Sequence, residues 1–320
     1  MVKLTNNDNL PQYLVRAFAY QSLQHDAKAD YSVTQLLDPA RAVALVREHS
    51  DLLTDDISER SWALLGSAAH VVLESGKGLE ELMEQKKLEG KDIGAVEEIV
   101  TDDPIIYEHR IFGEIDGITF SGQPDAYAVA EKTIYDFKTA SCWEFVYEGG
   151  RPREDREQQL NLYAYLGRKY EGWEVENIAA VFLFRDWGKA AAQRNDKFPD
   201  KNMLVYPFRM WSDEEAETFL RERISAHEQA KTNLPYCTPE EQKRDPDKYA
   251  VRKRGVERAV KLADSRTEAL NYIASKNIRN AYIEERPGKV ARCENFCLAS
   301  TVCDQFTAYN ALKDMQRHSN

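Results

Sequence analysis

The sequence contains no apolar run of about 18 residues, the length that a membrane-spanning helix needs. Its mean hydropathy is −0.61, and residues 1–18 lack the continuous apolar stretch of a signal peptide. These absences argue against an integral membrane protein. They predict a cytoplasmic protein that has no membrane partner.

Glycine and proline are also scarce, at 15 and 11 residues of 320, and no internal repeat or low-complexity segment is present. Hydrophobic residues make up 42% and charged residues 30% of the chain. This composition excludes fibrous and largely disordered proteins. The length predicts one large domain or two modest ones.

Positive charge is not in excess, because 43 lysines and arginines face 54 aspartates and glutamates, for a net charge of −11. A protein that coats nucleic acid electrostatically is usually basic overall, so that class is disfavoured. A local basic segment is present over residues 242–266, with nine basic and four acidic residues. It is either a solvated surface or a segment that contacts phosphates.

Cysteine is limited to five residues, too few in a cytoplasmic chain of this length to indicate a disulfide framework. Cys293, Cys297 and Cys303 form a C-x3-C-x5-C pattern, and Cys237 precedes them. Four thiolates can bind a [4Fe–4S] cluster or a structural Zn²⁺. The alternative is a set of small packed side chains without metal, which is the role we expect for Cys142.

The periodicity of apolar residues divides the chain into three successive regions. Residues 1–104 are mainly helical and include a helix over 58–74 with a broad apolar face. Residues 105–210 contain strand-like runs and form the core, whereas residues 211–320 are predicted to be helical and packed on that core.

In the middle region, short β-like runs punctuated by glycine predict an antiparallel meander over 105–107, 115–120, 126–129 and 133–137. A helix over 157–170 and a buried strand over 178–184 follow. Ser212 begins a capping-box sequence that opens a helix to about residue 230. This order predicts an α+β (α/β) fold, a central mixed sheet flanked by helices, with helical N- and C-terminal additions.

Asp136, Phe137 and Lys138 form a D-x-K tripeptide at the end of a predicted strand. Since side chains alternate along a strand, Asp136 and Lys138 point to one side, which we expect to be a surface, and Phe137 points to the core. The preceding hairpin strand brings the Asp125 carboxylate beside Asp136. Two carboxylates and a backbone carbonyl suit Mg²⁺ or Mn²⁺, and an adjacent ammonium can orient an attacking water. Glu114 is interpreted as an exposed carboxylate.

Two further motifs flank this tripeptide. His70 lies in a G-x-x-x-H-x-x-L-E pattern that begins at Gly66, and Gln159 and Tyr163 form a Q-x-x-x-Y pattern. Taken singly, His70 could be a core histidine, and Gln159 and Tyr163 an i,i+4 surface pair. In this order, the four motifs resemble the PD-(D/E)xK nuclease superfamily, specifically the RecB-like and Cas4-like exonuclease branch and its phage-encoded members.

The resemblance implies a restriction-endonuclease-like core with a defined set of site residues. The metal ligands would be His70, Asp125, Asp136 and the carbonyl of Phe137. Lys138 would orient the nucleophilic water, and Gln159 and Tyr163 would position the scissile strand. The Cas4-like branch also carries a [4Fe–4S] cluster, but this chain has no cysteine before the His70 motif, and Cys237 is the substitute that we expect.

These observations predict a Mg²⁺- or Mn²⁺-dependent deoxyribonuclease that acts on DNA ends or single strands. The expected setting is DNA end processing or recombination in a bacterium or a phage-infected host cytoplasm, with a helicase or recombination protein as a possible partner. One alternative is a non-catalytic nucleic-acid-binding module with a structural Fe–S or zinc site. A second is an Fe–S or zinc protein with a structural or redox role.

Overall fold

The computed structural model describes residues 2–23, 28–101, 103–256 and 258–318. The chain divides into two compact units that alternate along the sequence. The larger unit comprises Leu4–Leu37 and Asp56–Ala226, and the cysteine unit comprises Met1–Lys3, Asp38–Asp55 and His227–Asn320. The three consecutive regions expected from the sequence therefore differ from the division of the structure.

The described residues form thirteen helices and thirteen strands, apart from short 3₁₀ and π-helical turns. The helices are α1 (Gln12–Leu23), α2 (Val33–Leu37), α3 (Ala40–Glu48), α4 (Ser61–Glu74), α5 (Leu79–Leu88), α6 (Gly94–Glu97), α7 (Cys142–Tyr147), α8 (Glu154–Leu166), α9 (Lys189–Ala192), α10 (Asp213–Ala230), α11 (Arg266–Lys276), α12 (Ala291–Asn295) and α13 (Asp304–His318). The strands are β1 (Lys3–Thr5), β2 (Tyr31–Ser32), β3 (Thr54–Asp56), β4 (Ile105–Tyr107), β5 (Ile111–Ile115), β6 (Ile118–Gly122), β7 (Ala126–Ala128), β8 (Thr133–Ala140), β9 (Asn177–Phe184), β10 (Met203–Pro207), β11 (Lys248–Lys253), β12 (Lys261–Ala263) and β13 (Ala281–Arg286).

The larger unit contains a five-stranded mixed sheet in the order β10-β9-β8-β7-β4. Strands β8 and β9 are parallel, and the other neighbours are antiparallel. A second sheet has the order β2-β6-β5. The continuous meander expected over residues 105–137 is therefore wrong, because β5 and β6 leave the main sheet. The run over 115–120 is also interrupted, since Asp116 and Gly117 have positive φ values of 53° and 80° and form the turn of a hairpin.

The helices of the larger unit follow local sequence signals closely. Helix α8 is buried from Gln159 to Leu166 and packs against β8 and β9. Helix α10 begins with the predicted capping box, in which the Ser212 N–H donates to Glu215 and the Glu215 N–H donates to Ser212 Oγ at 3.2 Å. The helix predicted over 58–74 is present as α4 after a 3₁₀ turn.

The broad apolar face expected for α4 is not buried, since every residue of this helix is at least partly exposed. The helix instead approaches β8 through Gly66, where an added Cβ would lie 3.6 Å from Thr139 Oγ1. The positions of α4 that contact β8 are occupied by a small residue, Gly66, and a polar residue, His70. The larger apolar side chains of α4 consequently remain exposed, including Trp62, Leu65, Val71, Val72 and Leu73.

The cysteine unit contains a three-stranded antiparallel sheet in the order β12-β11-β13, with α11 packed against it. The sequence analysis expected residues 211–320 to be helical, but this sheet shows that they are not wholly so. A small core joins Val251, Ala263 and Ala269, and another joins Leu45, Ala299 and Cys303. Across both units the architecture is α+β, with sheets flanked by helices, as predicted. No helix in the described residues combines the length and apolar character that crossing a membrane requires.

Candidate metal centre

The hairpin of β7 and β8 places Asp125 next to the D-x-K tripeptide. Ala126 pairs with Tyr135, so the preceding residue, Asp125, lies at the level of Asp136. The backbone N–H of Phe137 donates a hydrogen bond to Asp125 Oδ2. This contact ties the Asp125 carboxylate to the edge of β8, in the arrangement expected from the hairpin length.

Asp136 and Lys138 share one face of β8, and their side chains form an ion pair of 2.5 Å between Nζ and Oδ2. Asp136 is only 2% exposed, so the expectation that it lies on a strand-end surface is wrong. The reason is that α8 packs over this face of the strand. Asp136 Oδ2 is buried, and the Lys138 ammonium is its close polar neighbour.

His70 reaches the same strand edge from α4. Its Nδ1 lies 3.2 Å from Glu108 Oε1 and 3.3 Å from Asp125 Oδ1. The ligand atoms of these three residues all lie within 4.8 Å of one another, which is close enough to share one metal ion. The imidazole also packs edge-on against the Phe137 ring, at 6.1 Å between centroids. His70 therefore belongs to a cluster with two carboxylates and is not an isolated core histidine.

Glu108 was missed by the sequence analysis. It follows β4, has a left-handed backbone with φ of 47°, and its N–H donates to the Asp125 carbonyl at 3.0 Å. Gln123 donates to Glu108 Oε2 at 2.8 Å and in turn accepts from Arg110. The proximity of Glu108 to Asp125 depends on the pairing of β4 with β7. No motif spacing in the sequence indicates that Glu108 lies there.

The close carboxylates alter the protonation of His70 and Asp125. Hydrogen bonds to Asp125 and then to Glu108 raise the pKa of His70 to about 10. Burial raises the pKa of the Asp125 carboxyl, and the charge of Asp136 raises it further, while the contact with His70 lowers it. Without a metal ion, His70 is therefore a cation that partly neutralises the acidic cluster.

The donor set fits a divalent metal ion. Carboxylate oxygens of Asp125 and Glu108 and a nitrogen of His70 are ligands that Mn²⁺ accepts, and the oxygens suit Mg²⁺. Asp136 supplies a buried carboxylate oxygen beside the Lys138 ammonium. The Phe137 N–H points to Asp125, and since the N–H and C=O of one strand residue face the same edge, the Phe137 carbonyl faces this site as well.

Gln159 and Tyr163 lie on the buried side of α8. They are 7% and 5% exposed, and Gln159 Nε2 donates to the Tyr163 hydroxyl at 2.8 Å, which excludes the surface-pair alternative. Burial and the charge of Asp136 raise the pKa of Tyr163, so its hydroxyl remains protonated. Arg156, on the same helix, lies within electrostatic range of Asp136 and contacts Glu144 at 3.4 Å.

A polar pocket of about 250 Å³ adjoins the metal centre on the side of Gln123. Arg110, Ser32, Thr34 and Ser121 are among its lining residues. Arg110 donates to Ser121 and Gln123, both of which are neutral. The pocket therefore presents a positive charge and hydroxyl groups next to the carboxylates.

The five cysteines are divided between the two units. Cys142 is fully buried in the larger unit, where burial and a hydrogen bond to Asp186 raise the pKa of its thiol to about 12. Cys237, Cys293, Cys297 and Cys303 lie together in the cysteine unit. Burial, followed by Glu241 and the three other thiols, raises the pKa of Cys237 to about 12.

The four thiols of the cysteine unit are neighbours without being in ligand contact. Burial and then Cys297 and Cys303 raise the pKa of Cys293 to about 11. Among the described residues, no three cysteine sulfurs lie within 4.8 Å of one another. Arg41 contacts Cys303 Sγ at 3.4 Å through Nε. This contact places a cation beside one of the four sulfurs.

No protein-family model matches this sequence, and no curated protein matches it. Among solved structures, the chain is similar to the one described as "Crystal structure of SSO0001", with a TM-score of 0.44 and 19% sequence identity. The match covers 69% of this chain and 86% of that chain. The function is therefore inferred from the site residues themselves.

Proposed function

We propose that the protein is a metal-dependent deoxyribonuclease of the PD-(D/E)xK type. The observation that carries the proposal is that ligand atoms of His70, Glu108 and Asp125 lie within 4.8 Å of one another, beside the ion pair of the buried Asp136 with Lys138. A bound Mg²⁺ or Mn²⁺ would stabilise negative charge on a phosphoryl oxygen and lower the pKa of a bound water.

Different residues of the chain would then have different roles in phosphodiester hydrolysis. His70, Glu108, Asp125, Asp136 and the Phe137 carbonyl would hold the metal. Lys138 would orient the attacking water and offset the charge that develops on the phosphate. Gln159 and Tyr163 would support the site from α8, where burial lets them position Asp136 more readily than they contact DNA.

The test is digestion of end-labelled single- and double-stranded DNA with Mg²⁺ or Mn²⁺. Cleavage should be abolished in Asp136→Asn, which keeps the shape of the side chain. Lys138→Ala should also abolish cleavage but retain Mn²⁺ binding, because an ammonium is not a ligand. Glu114→Gln, on the exposed side of β5, is the matched control and should cleave normally. Wild-type rates in both site variants would reject the assignment.

The alternative is a non-catalytic module that binds nucleic acid. Wild-type protein that binds DNA but releases no product with either metal would favour it. Under the nuclease proposal, the substrates are DNA ends or single strands and the setting is end processing or recombination, with a helicase or recombinase as partner. A cytoplasmic location in a bacterium or an infected host belongs to the same proposal.

We also propose that Cys237, Cys293, Cys297 and Cys303 bind one [4Fe–4S] cluster or, alternatively, Zn²⁺. The supporting observation is their grouping in one unit, with mutual electrostatic effects on their pKa values. A zinc ion at about 2.3 Å from each sulfur would need the thiols closer together than they are. Iron and zinc analysis of protein purified without oxygen distinguishes the two metals.

A further inference from the structure

Two tryptophans are unusually exposed in the larger unit. Trp62 on α4 is 58% exposed and Trp143 on α7 is 50% exposed. Tyr147, one turn after Trp143, is 82% exposed. Because large aromatic side chains contribute strongly to binding when they are covered, an exposed group of them indicates a binding surface. We call Trp62, Trp143 and Tyr147 the aromatic platform.

The platform lies beyond the carboxyl end of the strand that carries the metal centre. Gly66 approaches Thr139, and His70 contacts Phe137, so α4 runs antiparallel to β8. Trp62 precedes His70 by eight residues of α4, so it lies about 12 Å from His70 along the helix axis, in the direction of the carboxyl end of β8. The Arg185 guanidinium lies 4.3 Å from the centre of the Trp62 ring, and the Arg185 N–H donates to the Ala140 carbonyl.

Trp143 is held in place at the same end of β8. Asp186 accepts hydrogen bonds from the Ser141 hydroxyl at 2.5 Å and from the Cys142 N–H at 2.7 Å, which fixes the first turn of α7. The Trp143 ring packs edge-on against Phe198, at 6.3 Å between centroids. The platform is thus built before any ligand arrives, which reduces the entropy that binding must overcome.

Basic residues are frequent in the segment that packs against Trp143 through Phe198 and against Trp62 through Arg185. The segment 185–201 has five basic and three acidic residues. Exposed cations that form no ion pair in the described part of the chain are Arg151, Lys189, Arg194, Lys197 and Lys201. Arg151 lies near this segment, because a Cβ added at the preceding Gly150 would be 3.8 Å from Lys197 Cα.

The basic stretch found in the sequence at 242–266 differs in part. Arg244, Lys248, Arg252, Lys261 and Arg266 form ion pairs with carboxylates of the cysteine unit. Five of its nine basic residues are therefore paired, which favours the solvated-surface interpretation for them, whereas Lys253, Arg254 and Arg258 form no ion pair within the described residues. Glu257 lies outside the described residues. Exposed cations without an ion pair within the described residues thus occur in both segments, and those of segment 185–201 belong to the larger unit, which also contains the platform.

We propose that the aromatic platform and the adjacent cations bind single-stranded DNA as it leads to or from the metal centre. Unpaired bases would stack on Trp62 and Trp143, and phosphates would contact the cations, which is the combination used for single strands without sequence preference. A duplex keeps its bases paired and stacked, so it could use only the cations. The inference rests on the proposed nuclease function and names the form of its substrate.

The experiment measures binding of a fluorescent single-stranded oligonucleotide, and of the blunt duplex of the same sequence, in EDTA. Without metal, cleavage is prevented and binding is read alone. Trp62→Ala and Trp143→Ala should each weaken single-strand binding by roughly five- to 100-fold and leave duplex binding almost unchanged. Tyr147→Ala, at the most exposed position, tests the platform without disturbing packing.

Phe112→Ala is the matched control, since Phe112 is 45% exposed on β5 in the other sheet, and its single-strand affinity should equal that of the wild type. Combined Arg194→Ala and Lys197→Ala should weaken both substrates and reduce the salt dependence of binding. Equal single-strand affinity in all three aromatic variants, with unchanged melting temperatures, would overturn the proposal. The proposal would also be overturned if the aromatic variants weakened the binding of single strands and of the duplex equally. Platform binding by a protein that never cleaves DNA would instead reject only the nuclease function.

Discussion

The Nδ1 atom of His70 lies close to carboxylate oxygens of both Asp125 and Glu108. A proton on this imidazole therefore competes with a metal ion that would bind the same three residues. The pKa of His70 is raised to about 10, and therefore the imidazole is protonated at neutral pH when no metal is bound. A ligating imidazole must be neutral. Metal binding at neutral pH should accordingly release a proton.

We expect the apparent affinity for Mn²⁺ to rise with pH, by up to roughly tenfold per unit below the pKa of His70. The sign follows from the raised pKa, because higher pH removes the competing proton. The raised pKa of Asp125 acts in the same direction at lower pH. Calorimetric titration at several pH values measures the slope. His70→Ala should bind Mn²⁺ more weakly and with a flatter slope, and an unchanged slope would mean that His70 is not a ligand.

Glu108 is the site residue that only the structure identifies, and it can be tested against a nearby glutamate. Glu108→Gln should weaken Mn²⁺ binding by tenfold or more, since it removes a charged oxygen 3.2 Å from His70. It should also lower the pKa of His70. Glu114→Gln changes the same chemical group on the exposed side of β5. Equal Mn²⁺ affinity in the two variants would remove Glu108 from the site.

At the scale of elements, the contact of α8 with β6 decides the position of Tyr163. A Cβ at Gly122 would lie 2.7 Å from Leu166 Cδ1 and 2.8 Å from Tyr163 Cδ1. Only glycine fits between this strand and the helix, because both neighbours are buried and cannot move freely. The same is not true of Gly66, where the nearest atom would be at ordinary contact distance.

Gly122→Ala should therefore destabilise the protein by about 1–3 kcal/mol and displace Tyr163. Gly66→Ala is the contrasting variant and should leave stability unchanged or raise it by up to about 1 kcal/mol, since alanine favours a helix interior. Urea denaturation measures both. A loss of stability in Gly66→Ala similar to that in Gly122→Ala would show that α4 lies closer to β8 than described.

At the scale of the whole molecule, the alternation of two units along the chain separates the two groups of chemically active residues. The candidate metal ligands His70, Glu108 and Asp125 lie within the larger unit, and the four thiols lie within the cysteine unit. Each group can consequently be removed without altering a ligand of the other. This separation makes the cysteine proposal testable by itself.

Serine in place of Cys237, Cys293, Cys297 or Cys303 should release the bound metal and lower the melting temperature, because binding free energy at such a site is also folding free energy. Cys142→Ala should retain full metal content, since Cys142 is buried in the larger unit. Metal analysis and thermal melting of the five variants provide the measurement. Full metal content in Cys237→Ser would exclude it as a ligand, and metal-free wild-type protein prepared without oxygen would reject the site.

The sequence by itself determined the features that depend on neighbours within a few residues. Helix α8, strand β9 and the capping box at Ser212 follow from periodicity and capping chemistry. The position of Asp125 beside Asp136 follows from the length of one hairpin. Lys138 shares a face with Asp136 because side chains alternate along a strand.

Only the tertiary structure decided what distant segments do to one another. Glu108 enters the metal centre because β4 pairs with β7, and Asp136 is buried because α8 covers its face of β8. Trp62 remains exposed because α4 turns Gly66 and His70 to the sheet instead. Such contacts depend on which strands and helices meet across long loops, and the free energy of that choice is spread over many residues and does not reside in a local pattern.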